Sequence, residues 1–128
     1  MYALAVKFPS TDSIDRVAFH DVWKEKTADT DCYVGVAEAQ DAVVGYISGY
    51  VHTTFHADRP VAWVDEIFVT EEMRNIGIGR GLMAEIARWA TKRGCRLVAL
   101  ASRESAEFYH ALGYEEDASR YYKRDLLG

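Results

Sequence analysis

The chain has little that would stiffen, cross-link or anchor it. Only two prolines and two cysteines occur in 128 residues, and no apolar run approaches the length of a membrane span. The opening MYALAVKFPS also lacks the basic start and long apolar core of a secretory leader, so the expectation is a cytoplasmic protein. Sparse proline with 49% hydrophobic residues excludes a disordered chain. The length predicts one domain over residues 1–128, large enough for a sizeable core. Cys32 and Cys95 stand apart, without a CxxC or a ligand cluster, and read as reduced structural thiols.

An overall positive charge is missing too. The net charge of -5 argues against bulk attraction to nucleic acid or an anionic membrane, so neither is expected as a partner. The average hides an uneven distribution: residues 74–103 carry Arg74, Arg80, Arg88, Lys92, Arg93, Arg96 and Arg103 against Glu85 alone. Two readings fit this stretch. One is a local anion site; the other is a solvated basic helix face whose late cations complement the helix dipole.

Hydropathy patterning supplies the elements. Ser10 or Thr11 can cap a helix running to about Thr27, with Ile14, Val17, Ala18 and Val22 as its apolar stripe. YVGVAEA (33–39), VVGYISGYV (43–51) and AWVDEIFV (62–69) predict an antiparallel meander. From Gly77 the spacing becomes helical through Ile78, Leu82, Ile86 and Ala90, with Gly94 as the stop. RLVALA (96–101) predicts a buried strand, ESAEFYHAL a helix stopped by Gly113, and Ser119 to Leu126 a final strand. The N-terminus is open: Tyr2, Leu4, Val6 and Phe8 alternate like a strand, whereas the Pro9 break also suits the end of a helix.

RNIGIGRGLM (74–83) is the stretch with chemical content. The first amides of a helix lack intrahelical partners and carry partial positive charge, which suits phosphate oxygens. Glycine at 77 and 79 leaves room beside those amides, and Arg74 and Arg80 can add charge-assisted hydrogen bonds. Leu82 breaks a GxGxxG dinucleotide fingerprint and no lysine-serine P-loop is present. Glycines serving close helix packing explain the GxG alone equally well.

With Arg74 the segment reads RxxGxG between an acidic strand and an amphipathic helix, and there the chain resembles the GCN5-related N-acetyltransferases. That family's diphosphate motif, Q/RxxGxG/A, is filled by Arg74, Gly77 and Gly79. Its late AxxFYxxLGF/Y phrase is matched by Ala106, Phe108, Tyr109, Leu112, Gly113 and Tyr114. The family's asparagine seven residues before the tyrosine is replaced by Ser102. The resemblance implies an α/β (α+β) fold: a mixed, mostly antiparallel central sheet with flanking helices and a splayed strand pair. It makes MYALAVKFPS the tail of a first helix, with the N-terminus shortened and a homodimer covering the incomplete sheet edge.

The resemblance further implies acetyl-CoA as acyl donor. Its diphosphate would lie on Arg74, Asn75, Ile76, Gly77, Ile78, Gly79 and Arg80, and its pantetheine arm beside Ile67, Phe68 and Val69 and near Ser102 and Tyr109. A strand amide near Ile67 would hold the oxyanion. Glu66 is favoured as the base, directly or through water, with Asp65 the alternative; strand alternation would aim only one of them into the cleft. Tyr109 is the acid for the departing thiolate, its usual pKa of about 10 standing near that of a thiol. Direct transfer to a primary amine of a small molecule or peptide follows. A non-catalytic acyl-CoA-binding or sensing module of the same fold is the competing class. His52 and His56 have ligand-like spacing only on a helix, whereas their segment reads as strand end and loop, so no metal is expected. Tyr46, Tyr50 and Phe55 read as core or cross-strand aromatics before acceptor contacts.

Overall fold

A computed structural model describes residues 1–6, 16–103 and 105–127. The elements are α1 (Tyr2–Ala5), α2 (Arg16–Ala28), β1 (Cys32–Ala39), β2 (Ala42–His52), β3 (Val61–Val69), α3 (Ile78–Lys92), β4 (Leu97–Leu100) and α4 (Ala106–Ala111). The four strands form one sheet in chain order, antiparallel for the first two pairs and parallel between β3 and β4. The α/β expectation, a mostly antiparallel sheet with flanking helices, therefore holds. Gln40 and Asp41 join β1 to β2 with positive φ at both positions, 53° and 63°, the backbone twist that a two-residue hairpin requires. The parallel pair needs a crossover, and α3 provides it.

The core lies between the sheet and α3. Ile47, Val64, Leu82, Met83 and Ile86 form one buried cluster, with Leu82, Ile86 and Ala90 recurring at the spacing of a single helix face. Gly49 allows this approach: a Cβ there would lie 2.7 Å from Ile86 Cδ1 and 2.6 Å from the Trp63 carbonyl oxygen. Gly94, at φ 76°, ends α3 while the Cys95 amide donates to Ala90 O at 3.0 Å. Gly113 and Tyr114 repeat the arrangement on α4, the Tyr114 amide reaching Tyr109 O at 3.0 Å.

The N-terminal alternation gives way to helix. Tyr2–Ala5 is helical, with Leu4 and Ala5 buried and α1 packed on β2. The expected Ser10 or Thr11 cap lies outside the described residues, as does Glu104 at the start of ESAEFYHAL. The final strand expected over Ser119 to Leu126 is not formed. Asp117 accepts from the Ser119 amide at 3.0 Å and Asp125 from the Leu127 amide at 2.9 Å, so side-chain turns take backbone donors that a ladder needs. Tyr121 and Tyr122 are 74% and 84% exposed, so apolar burial does not compensate. Among the described residues no helix is long and apolar enough to cross a membrane.

Candidate active site

The sheet opens at β3. Its pairing with β4 runs from Val61↔Leu97 to Val64↔Leu100 and stops, so Asp65–Val69 continue without a β4 partner. The amide of Thr70 donates to Val44 O on the β2 side at 2.8 Å. Because successive strand amides alternate sides, those of Ile67 and Val69 point into the opening. The Val69 carbonyl points there too, and accepts the Nε–H of Arg74 at 2.9 Å. Phe68 projects from the sheet instead, its ring 5.5 Å from the Arg74 guanidinium carbon.

At the end of β3 the chain makes a 3-10 turn over Glu71–Met73 and then the glycine segment. Asn75 has φ 66°, a conformation asparagine tolerates, and Ile76 is 64% exposed beside it. Gly77 precedes α3 with φ 94°, and a Cβ there would meet nothing within 4 Å. Among the described residues no side chain caps α3; its first internal bond is Gly81 N to Gly77 O at 3.0 Å. That leaves the amides of Ile78, Gly79 and Arg80 without intrahelical acceptors. Arg80 is exposed and Ile78 half-buried against the core. Gly79 departs from the reading that its missing side chain clears room for an anion. A Cβ there would sit 3.3 Å from Phe108 Cζ, so the absent side chain lets α4 approach α3.

Strand alternation does not separate the two acids of β3 in the expected way. The register with β2 shifts between Ser48↔Glu66 and Gly49↔Val64, which leaves Asp65 as the extra residue of a bulge. Partners separate them instead. Asp65 pairs with Lys26 of α2 at 3.4 Å. Glu66 Oε1 accepts from the Tyr46 hydroxyl at 2.9 Å. Tyr46 is buried, and burial first, then the Glu66 charge, holds its phenol far above the usual range. Opposite Glu66, Ser48 is buried with no hydrogen-bond partner for its Oγ among the described residues.

Tyr109 stands half-buried on α4 against the core cluster, its ring 4.9 Å from that of Phe108 and 6.1 Å from that of Tyr114. Burial, then the neighbouring Tyr114, raises its phenol pKa, so the hydroxyl keeps its proton at neutral pH. Ser102 lies just beyond β4 and, with Val64, Asp65, Arg103, Tyr121 and Lys123, lines a cleft of about 620 Å³ at the strand opening. The sequence carried no signal for Tyr121 and Lys123 here, because an unpaired segment brings them in. Tyr46 as the partner of Glu66 depends on the register of β2 against β3, which the sequence pattern does not state.

The remaining candidates stay apart. His52 ends β2 with its ring 5.5 Å from Tyr50, whereas His56 is exposed in the following loop. Among the described residues no three His, Cys, Asp or Glu groups gather. Phe55 is fully exposed.

Residues 2–114 match the model of the Acetyltransferase (GNAT) family, and the chain belongs to that family. An uncharacterised N-acetyltransferase of Methanocaldococcus jannaschii is 35% identical over 86 residues, 63% of this chain and 38% of that protein. Aminoglycoside N(6')-acetyltransferase type 1 of Salmonella typhimurium is 36% identical over 61 residues, 44% of this chain and 42% of that protein. The chain thus spans about two fifths of the length of these curated relatives. The solved structure of AAC(6')-Iy with a CoA-S-monomethyl-acetylneamine bisubstrate analogue superposes with a TM-score of 0.80. It is 22% identical and covers 96% of this chain and 88% of that one, a likeness of fold.

Proposed function

We propose that the chain transfers the acetyl group of acetyl-CoA to a primary amine of a small molecule or peptide, by direct attack in a ternary complex. The observation that carries the reading is the meeting of two donor sets: the outward amides of β3 and the unpaired amides of Ile78, Gly79 and Arg80. Along β3 the Ile67 and Val69 amides suit the amide-rich pantetheine arm as a further strand would. At the helix terminus the three free amides, with Arg74 and Arg80, suit the diphosphate. Asn75, Ile76 and Gly77 shape the approach by their backbone.

In the reaction, the acceptor ammonium gives one proton to Glu66, directly or through water, and its freed lone pair attacks the thioester carbon. The Ile67 amide donates to the resulting oxyanion. The C–S bond then breaks, Tyr109 gives its proton to the leaving sulfur, and the new amide nitrogen sheds its second proton to restore the phenol. Relatives named as aminoglycoside acetyltransferases, and the bisubstrate analogue bound to one, support a polar amine acceptor. The test is thiol release from acetyl-CoA with a panel of amines, including aminoglycosides, for the wild-type chain and Tyr109→Phe. Amine-dependent release that needs Tyr109 supports the reading. Tight coenzyme A binding without release on a broad panel favours a non-catalytic acyl-CoA-binding module.

A further inference from the structure

We propose that Tyr46 is the positioning residue for the Glu66 carboxylate, holding one oxygen so that the other is presented to the acceptor; this rests on Glu66 being the base of the proposed reaction. The geometry is specific. Tyr46, Ser48, Glu66 and Phe68 share one face of the β2–β3 pair, since Tyr46 stands opposite Phe68 and Ser48 opposite Glu66. The Tyr46 hydroxyl reaches two residue pairs along to donate to Oε1 at 2.9 Å. Its ring is fixed by burial at 2% exposure and by the Phe68 ring at 6.3 Å. With one Oε1 site engaged, both lone pairs of Oε2 remain open to an incoming proton.

A structural role alone does not account for this arrangement. A buried tyrosine needs one acceptor, and a neutral carbonyl would serve; here the acceptor is an ionisable side chain on the strand that opens toward the cleft. The adjacent Ser48 Oγ, buried without a partner among the described residues, adds a second polar group on the same face. The raised phenol pKa keeps Tyr46 a donor throughout the working pH range. Lys26 of α2 is tied to Asp65, and the Tyr2 ring of α1 lies against Phe19 and Arg16.

The experiment compares kcat and acceptor KM of Tyr46→Phe, Glu66→Gln and Glu66→Asp with those of the wild-type chain, using an amine found active in the thiol-release assay. Melting temperature and coenzyme A affinity by calorimetry are measured alongside. Tyr46→Phe should keep coenzyme A affinity and acceptor KM and lower kcat by about tenfold, a split that a loss of folding would not give. Glu66→Asp, too short to keep the Tyr46 contact, should likewise lower kcat at unchanged coenzyme A affinity even if Tyr46→Phe fails to fold. Wild-type kcat in both, with Glu66→Gln inactive, overturns the positioning role and leaves the base intact. A fully active Glu66→Gln overturns the base assignment, and the positioning role with it.

Discussion

Arg74 donates its Nε–H to the carbonyl of Val69 at 2.9 Å, fastening the glycine loop to the end of the splayed strand. The bond engages Nε, so the two Nη groups keep their donors for an anion. Arg74→Lys keeps the charge but has no second set of donors, so it cannot hold Val69 and an anion together. Calorimetry should show coenzyme A affinity reduced by about tenfold in Arg74→Lys and further in Arg74→Ala. Equal affinity in wild type and Arg74→Ala would remove Arg74 from the clamp.

Gly77 and Gly79 should fail differently when changed to alanine. At Gly77 there is space for a methyl group but φ is 94°, so the cost is backbone strain, about 1 kcal/mol, and Gly77→Asn should recover part of it. At Gly79 the methyl group meets Phe108, so the loss should shrink when Gly79→Ala is combined with Phe108→Leu. Chemical denaturation of the four single and double variants reads both effects. Identical behaviour of the two alanine variants would contradict these separate roles.

Alkaline pH should destabilise the fold. Tyr33, Tyr46, Tyr109 and Tyr114 all have phenol pKa values raised by burial above the usual 10.0. The folded chain therefore holds these protons more tightly than the unfolded one. Their stabilising contribution is complete below pH 10 and declines as pH rises beyond the unfolded value toward the folded ones. Melting temperatures from pH 8 to 11.5 should fall most steeply above about pH 10, and the 295 nm phenolate titration should show a late-ionising fraction. A flat melting profile through that window would contradict the burial assignment.

Tyr109→Phe should lower kcat by about 10²-fold while leaving coenzyme A affinity within twofold, because only a proton donor is lost from a ring that still packs. Stopped-flow thiol detection and calorimetry separate the two quantities. Unchanged turnover would exclude the acid role.

Much of the fold was legible because long periodic segments carry their own signal. The Leu82, Ile86 and Ala90 repeat and the two terminating glycines placed α3 and α4, and the β-rich runs placed the meander. The final strand was not legible, since Tyr121 and Tyr122 have strand-forming side chains, whereas the structure leaves both exposed with the Asp117 and Asp125 turns on either side. The site divides along the same line. Arg74, Gly77 and the free amides follow from local spacing, whereas the Asp65 bulge and the Tyr46–Glu66 bond depend on register between strands, which alternation alone cannot supply. Gly79 was recognised by its spacing, but the Phe108 ring that explains its missing side chain comes from a helix distant in sequence.

The most direct measurement is an amide-resolved NMR titration of the full chain with coenzyme A, repeated with pantetheine, which lacks the diphosphate. Coenzyme A should shift the Ile78, Gly79 and Arg80 amides strongly downfield and perturb Ile67 and Val69, whereas pantetheine should perturb only the strand amides. Saturable coenzyme A binding that leaves the three helix-terminal amides unmoved would contradict the account.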